Sequence, residues 1–342
     1  MKLGVLTGGG DCPGLNPAIR AAVMRAADYG DEVIGFKQGW KGVIENDTTP
    51  LALAAVEDLI NVGGTMLESS RTNPLKKQED LDACLATLKN LALDALIAMG
   101  GEDTLGVADK LSQVGVPAVG VPKTMDNDIN HTDFTFGFDS AVAIAVDAAD
   151  RLRDTARSHR RCMVLEVMGR HAGWVALHTA IAGGADWVTL PEEPADLDEM
   201  AKHLDSLRQR GRNHALVVVS EGTEIAEVEG ETLTLDDFGR VILKERGVGD
   251  FIAKEIEEHT GFKETRVSVL GHIIRGGSPT PFDRWLASRL AIKAVDLAHD
   301  GKFGTMASIQ ANQIVDVPLG DAVGEWKLVP HELYEQVRTL FK

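Results

Sequence analysis

Three stretches of this 342-residue chain put chemically useful side chains directly behind short apolar runs. The first, Gly8-Gly9-Gly10-Asp11-Cys12-Pro13-Gly14-Leu15-Asn16, follows the run 3–7. Glycines let a backbone approach a phosphate closely, and a following helix adds free N–H groups and the positive end of its dipole. Gly8 and Gly10 begin a dinucleotide-binding fingerprint, but Pro13 occupies the third glycine position. Gly9 and Gly14 have P-loop spacing, yet Leu15 stands where the lysine belongs. Taken alone, the loop fits a phosphate site or a plain tight turn equally well.

The second stretch, Gly100-Gly101-Glu102-Asp103-Thr104, offers two adjacent carboxylates at a helix mouth. Such a pair suits an exposed helix start. It equally suits Mg²⁺, which takes one or two carboxylates together with phosphate oxygens and water. The third stretch is Pro122-Lys123-Thr124-Met125-Asp126-Asn127-Asp128. A carboxylate there can take the proton of an attacking alcohol, and a lysine can neutralise a departing phosphate. A solvated Asx-turn is the plainer alternative.

The arginines follow a similar placement. Arg71, Arg161, Arg170, Arg266 and Arg275 sit beside strand ends or glycines. The planar guanidinium grips phosphate oxygens in pairs. Any one of the five reads as a surface salt bridge, but together they point to an anionic substrate. The overall charge runs the other way, with 35 Lys+Arg against 52 Asp+Glu giving −17. That excess argues against nucleic acid and against a membrane surface as partners. It leaves room for small phosphorylated ligands, which need only a local cluster of positive charge.

His171 and His272 have no partner at metal-ligand spacing and read as hydrogen-bonding residues. Cys12, Cys84 and Cys162 are far apart and form no metal pattern, which fits a reducing cytoplasm better than a catalytic thiol. No signal sequence or membrane span is legible, so a soluble, cytoplasmic protein is expected.

These groups must be held by regular elements. Continuous apolar runs at 3–7, 33–36, 95–99, 118–121, 163–167, 187–190, 215–219 and 267–270 read as buried strands. Helical patterns span 15–29, 81–91, 140–155, 200–209, 248–258 and 285–299. Strands without polar alternation, separated by helices, imply parallel sheets covered on both faces. The expected fold class is therefore α/β, with two Rossmann-like doubly wound domains and mostly parallel sheets. The polar stretch 221–237 reads as a surface loop or hairpin.

In their order, GGGDCPGLN, SSRTNP, GGEDT, PKTMDND, FGFDSA, MGRHAGW, SEGT and LGHIIRGGSPTPFDR resemble the motifs of 6-phosphofructokinases along the whole chain. The resemblance implies phosphoryl transfer to the C1 hydroxyl of fructose 6-phosphate with Mg²⁺, in a cleft between the two domains. It implies a donor domain over 1–137 and about 274–322, and a sugar-phosphate domain over 138–273 and about 323–342. Asp126 matches the general base, and Lys123, Asp103 and Arg170 complete the catalytic set. Gly9, Gly10, Arg71, Asp103 and Thr104 match donor-binding positions, and Glu102 and Asp128 match metal positions. Thr124, Met125, Met168, Gly169, Arg170 and Glu221 match positions that contact the sugar and the transferred phosphate. His272, Ile273, Ile274 and Arg275 match the segment that binds the 6-phosphate. Arg161 and Arg266 match arginines that reach that phosphate from a neighbouring subunit, which implies a homodimer or homotetramer with a shared site.

Within the family the chain is similar to the pyrophosphate-dependent members. Asp103 and Lys123 stand where the familiar ATP enzymes carry glycines. A carboxylate at 103 would project toward the α-phosphate of ATP. Like charges ~4 Å apart at an effective dielectric near 20 repel by about 4 kcal/mol. That is about three orders of magnitude in affinity. Pyrophosphate has no α-phosphate to repel, and Lys123 would face the leaving group's growing charge. The expected reaction is therefore reversible phosphorylation of fructose 6-phosphate by pyrophosphate, with an ATP-dependent enzyme as the alternative. A non-catalytic sugar-phosphate-binding regulatory subunit is more remote, because Asp126, Arg170 and Arg275 are all present. Pro13, and the lack of a ribose-binding acid after the second strand, make a nicotinamide-linked oxidoreductase a poor fit.

Overall fold

Apolar runs five or six residues long are too short for stable helices and become buried strands. The computed structural model describes residues 1–225 and 247–341, which form two units. The first holds Met1–Ser140 and Arg275–Trp326, and the second holds residues 141–225, 247–274 and 327–341.

The first unit is built on strands β1 (Lys2–Thr7), β2 (Glu32–Phe36), β3 (Thr48–Pro50), β4 (Ala95–Gly100) and β5 (Ala118–Pro122). Numbering in chain order, β10 (Thr305–Gln310) and β11 (Gln313–Pro318) complete it, and the sheet order is β11-β10-β5-β4-β1-β2-β3. The central pairs are parallel, with Val5 opposite Ile97 and Ile97 opposite Val119. Every residue of β4 is buried, which explains its unbroken apolar sequence. The helices Leu15–Tyr29 and Pro281–His299 pack against each other, tied by Arg25 Nε to Asp296 at 2.7 Å. Leu105 and Leu111 of the helix Glu102–Gln113 join Leu6, Phe36 and Leu96 in one buried cluster.

The second unit contains β6 (Cys162–Val167), β7 (Trp187–Thr189), β8 (Ala215–Ser220) and β9 (Thr265–Val269), all parallel in the order β7-β8-β6-β9. Val164, Val217 and Val219 pack with Met200 and Leu204 of the helix Leu197–Gln209 and with Ile252 and Ile256 of Val248–His259. Asp186 grips Arg212 through both oxygens, at 2.7 and 2.9 Å, and accepts the Leu216 amide at 2.9 Å.

The α/β class and the mostly parallel pairing follow the sequence reading, with additions at the edges. Strands β3 and β11, which pair antiparallel to β2 and β10, and β10 itself carry weak apolar runs. The turn joining β10 to β11 puts Ala311 and Asn312 in the left-handed region, so it lacks the usual glycine signal. The helix Trp174–Gly183 is apolar on most sides and has no period to detect. From residue 226 onward, the expected surface excursion at 221–237 lies outside the described residues. No described helix is long and apolar enough to cross a membrane.

Ile97 is fully buried in the middle of the first sheet. Ile97→Ala is expected to lower unfolding free energy by about 2–5 kcal/mol, read by urea denaturation.

Candidate active site

In a doubly wound sheet, ligands bind where the strand order reverses, beyond the carboxyl ends. The chain leaves β1 toward β2 and β3 on one side, then crosses to β4 on the other. The first two glycine loops therefore open beside each other, joined by the Gly8 amide donating to the Met99 carbonyl at 3.0 Å. Thr104, 2% exposed, is wedged between them. A Cβ on Gly8 would lie 2.5 Å from Thr104 Oγ1, and one on Gly100 would lie 2.3 Å from Thr104 Cβ. Only glycine fits at either place. Thr104 is expected to bind the donor, and its buried side chain also spaces the two loops.

The third loop adds the charge. Lys123 is 2% exposed, its amide donates to Gly100, and its ammonium donates to the Gly10 carbonyl. Burial pulls its pKa below the usual lysine value. From the other side, Arg275 Nη1 donates to the Asp11 carbonyl at 3.2 Å. A Cβ on Gly10 would fall 2.4 Å from that nitrogen. Two cations thus brace the first glycine loop. Gly9 sits at φ 77, its amide bonded to the Ser70 carbonyl at 3.1 Å, and Ser69 donates to its carbonyl. This straps the segment carrying the exposed Arg71 to the same loop.

Asp126 is half-buried and its amide donates to Thr124 Oγ1 at 3.1 Å. The turn is pinned by Thr135, whose hydroxyl donates to the Thr124 carbonyl at 2.6 Å. The Thr135 amide donates to Asn127 Oδ1 at 3.0 Å, with Asn127 at φ 54. Sequence reasoning passed over Asn127 and Thr135. The signal was an asparagine in a polar turn, a type that tolerates the left-handed region. Asp126 Oδ1 is buried without a hydrogen-bond partner, so a ligand hydroxyl would satisfy it. Met125, expected among the substrate-binding residues, is 1% exposed, with its side chain in the core.

In the second unit the loops after β6, β8 and β9 stand side by side. Gly169, at φ 145, has its carbonyl taken by Ser220 Oγ at 2.7 Å and by the Gly222 amide at 3.1 Å. The Glu221 amide donates to Val167 at 2.9 Å, and a Cβ on Gly222 would meet the Arg170 carbonyl at 2.1 Å. Met168, Gly169, Arg170 and Glu221 are therefore brought together. The Leu270 amide, bonded to Glu166 at 3.0 Å, leads into Gly271–Arg275, where His272 and Ile273 are exposed. Ile274, expected in the segment that binds the 6-phosphate, has a fully buried side chain.

Arg161 and Arg266 lie elsewhere. Arg161 precedes β6 and pairs with Glu264 at 2.6 Å, while Arg266, early in β9, stands opposite Met163. Both are at the amino ends of their strands. At ~3.3 Å per residue, Arg161 is roughly 23 Å and Arg266 roughly 13 Å from the loops at the carboxyl ends of their strands. The structure does not bring them to Arg170 or Glu221 of the same chain.

For a divalent cation, Glu102 and Asp103 open the helix Glu102–Gln113, and Asp128 is buried two residues beyond Asp126. Among the described residues, the three-ligand cluster found is Glu255, Glu258 and His259 on a surface helix, so these carboxylates do not form a closed cage. An all-oxygen set of this kind fits Mg²⁺, which keeps most of its waters and phosphate ligands. All three cysteines are buried and free, and burial pushes the Cys12 and Cys84 thiols up to about 12.

A comparison with protein families matches residues 2–298 to the one described as Phosphofructokinase. The chain belongs to the phosphofructokinase family. A relative from Dictyoglomus thermophilum, named pyrophosphate–fructose 6-phosphate 1-phosphotransferase, is 53% identical over all of this chain and 99% of its own. A relative from Streptomyces coelicolor, named ATP-dependent 6-phosphofructokinase 2, is 46% identical over the whole of both chains. The solved phosphofructokinase of Pichia pastoris in the T-state matches 94% of this chain at TM-score 0.83 and 30% identity. There the match covers 35% of the other chain.

A thiol nucleophile at this site is incompatible with such buried, neutral cysteines. A thiol-reactive chromophore is expected to label the native protein negligibly, and to label all three sites only after denaturation.

Proposed function

We propose that this protein is a phosphotransferase that moves a phosphoryl group from pyrophosphate to the C1 hydroxyl of fructose 6-phosphate, reversibly. The observation that carries the reading is the convergence of buried Lys123, Arg275 and the unpartnered Asp126 oxygen around one glycine loop. A loop braced by two cations suits a polyanionic donor. A carboxylate oxygen lacking a donor suits the hydroxyl that must lose its proton.

In this reading Asp126 accepts that proton, Thr124 orients the sugar, and Lys123 offsets charge on the leaving phosphate. Gly9, Gly10 and Arg71 hold the donor, with Asp103 at its inner end. Glu102 and Asp128 are the carboxylates proposed for Mg²⁺. Bound there, Mg²⁺ would neutralise phosphate oxygens. Arg170, Glu221 and Met168 meet the sugar, and His272 with Arg275 meets its 6-phosphate. Arg161 and Arg266 stand at the wrong end of their sheet to reach the same chain's sugar. We infer that they serve a second copy's site, so the working form is a homo-oligomer in the cytoplasm.

The donor choice rests on Asp103 and on the relatives, where the pyrophosphate-named protein is 53% identical and the ATP-named one 46%. Because the ATP-named relative is also similar over its full length, ATP is the second reading. A coupled assay decides between them. kcat/KM with pyrophosphate is expected to exceed that with ATP by at least 100-fold, and a higher value with ATP would sink the donor assignment. Asp103→Gly is expected to raise kcat/KM for ATP by up to about 10³-fold, following the charge repulsion. Asp126→Asn is expected to cut kcat by about 10²–10⁴-fold with little change in KM, the signature of a lost general base.

A further inference from the structure

Asp283 is fully buried in the first turn of the helix Pro281–His299 and belongs to none of the groups assigned above. Its Oδ2 accepts the Ser140 amide at 2.8 Å and the Ser140 hydroxyl at 2.6 Å. Ser140 lies in the first turn of the helix Phe138–His159. Its hydroxyl oxygen in turn accepts the Thr280 amide at 3.0 Å. Thr280 Oγ1 accepts the Asp283 amide at 3.3 Å and donates to Asp139 at 2.5 Å. Each hydroxyl gives one proton and receives one, so the four residues close a ring between two helix starts that are 143 residues apart in sequence.

Both ends of that ring lead to the site. Just before Ser140, Gly137 sits at φ 100, where a Cβ would be 2.3 Å from Cys12 Sγ, immediately after the first glycine loop. Phe136 accepts the Cys12 thiol at 3.6 Å and bridges to Lys123. Thr135, one residue earlier, pins the Asp126 turn. On the other side, five residues before Thr280, is Arg275, whose guanidinium braces the same glycine loop.

We propose that Asp283 is a positioning residue for phosphoryl transfer, its carboxylate registering the Lys123–Asp126 turn and Arg275 on the first glycine loop. This rests on the function proposed above. The hydrogen bonds are charge-assisted, and the anion faces the positive ends of two helix dipoles. The ionisable groups facing it are Asp139 on one helix and Cys12 on the loop, and Cys12 stays neutral. The Gly137 amide also approaches the carboxylate, and burial pushes the carboxyl up to about 6 against these bonds. The folded value exceeds the ordinary 3.8. Asp283 therefore adds stability only at low pH, and that contribution is lost as pH rises through about 6. At neutral pH the molecule holds a buried charge that burial itself disfavours, which marks a group kept for placement rather than for stability.

Asp283→Asn keeps the acceptor and the shape while removing the charge. At pH 7.5 it is expected to melt at or above the wild-type temperature yet lose at least tenfold in kcat. Wild-type kcat should fall below pH about 6, and the variant should lack that limb. The melting-temperature advantage of the variant should shrink as pH drops through 6, a readout that needs no substrate. Wild-type kcat within twofold, an unchanged acid limb, or activity lost only in step with melting temperature would overturn the proposal. Ser140→Ala, which leaves the charge in place, separates the cases: it should lower kcat while keeping the acid limb. Wild-type protein inactive with both donors would instead sink the functional reading, and this proposal with it.

Discussion

A buried ammonium is among the costlier groups a protein interior can hold, and the first unit is organised around one. Lys123 cannot stay charged without compensation. The compensation is the Gly10 carbonyl, so the glycine loop must lie within reach of the strand end after β5. The sheet order meets that requirement, because β1 and β5 flank β4 with their carboxyl ends on one side. It also explains why Gly8 and Gly100 admit no side chain. Thr104 fills the space that any Cβ would need, and the loops close to the distance the lysine spans.

How legible this was depended on the physical source of each feature. Strands β1, β4, β5, β6 and β8 could be read because burial on both faces makes their sequences uniformly apolar. The helix Leu15–Tyr29 was bounded correctly because Gly14 and Gly30 mark both ends in the left-handed conformation. Strands β3 and β11 were missed because they lie half-exposed at the sheet edges, and β10 because Thr305, Ser308 and Gln310 break its apolar run although its centre is buried. The helix Trp174–Gly183 was missed because an element buried on most sides shows no amphipathic period.

The chemistry-bearing residues were visible as types, but their division of labour was not. Met125 and Ile274 sit inside the motifs proposed to hold ligands, and only the path of the turn decides which side chain points inward. Thr104 reads as a donor ligand by type, and nothing in its spacing shows that it also separates two glycine loops. Asp283 and Ser140 were invisible as a pair, because no local spacing reports a hydrogen bond across 143 residues of chain. Such contacts carry the site's precision while leaving no periodic trace.

The discontinuity of the first unit shapes how the molecule is made. Residues 1–140 emerge from the ribosome with β4 and β5 complete, but their covering helix and the partner strand β10 lie beyond residue 280. At roughly 5–20 residues per second, the nascent sheet waits roughly 10–35 s for β11 to appear. Through that interval its β5 edge and one apolar face are without their final cover. The intervening segment 141–274 meanwhile has its own parallel sheet to build. The arrangement that brings Arg275 to the first glycine loop thus keeps the earliest strands of the chain incomplete until β10 and β11 have been made.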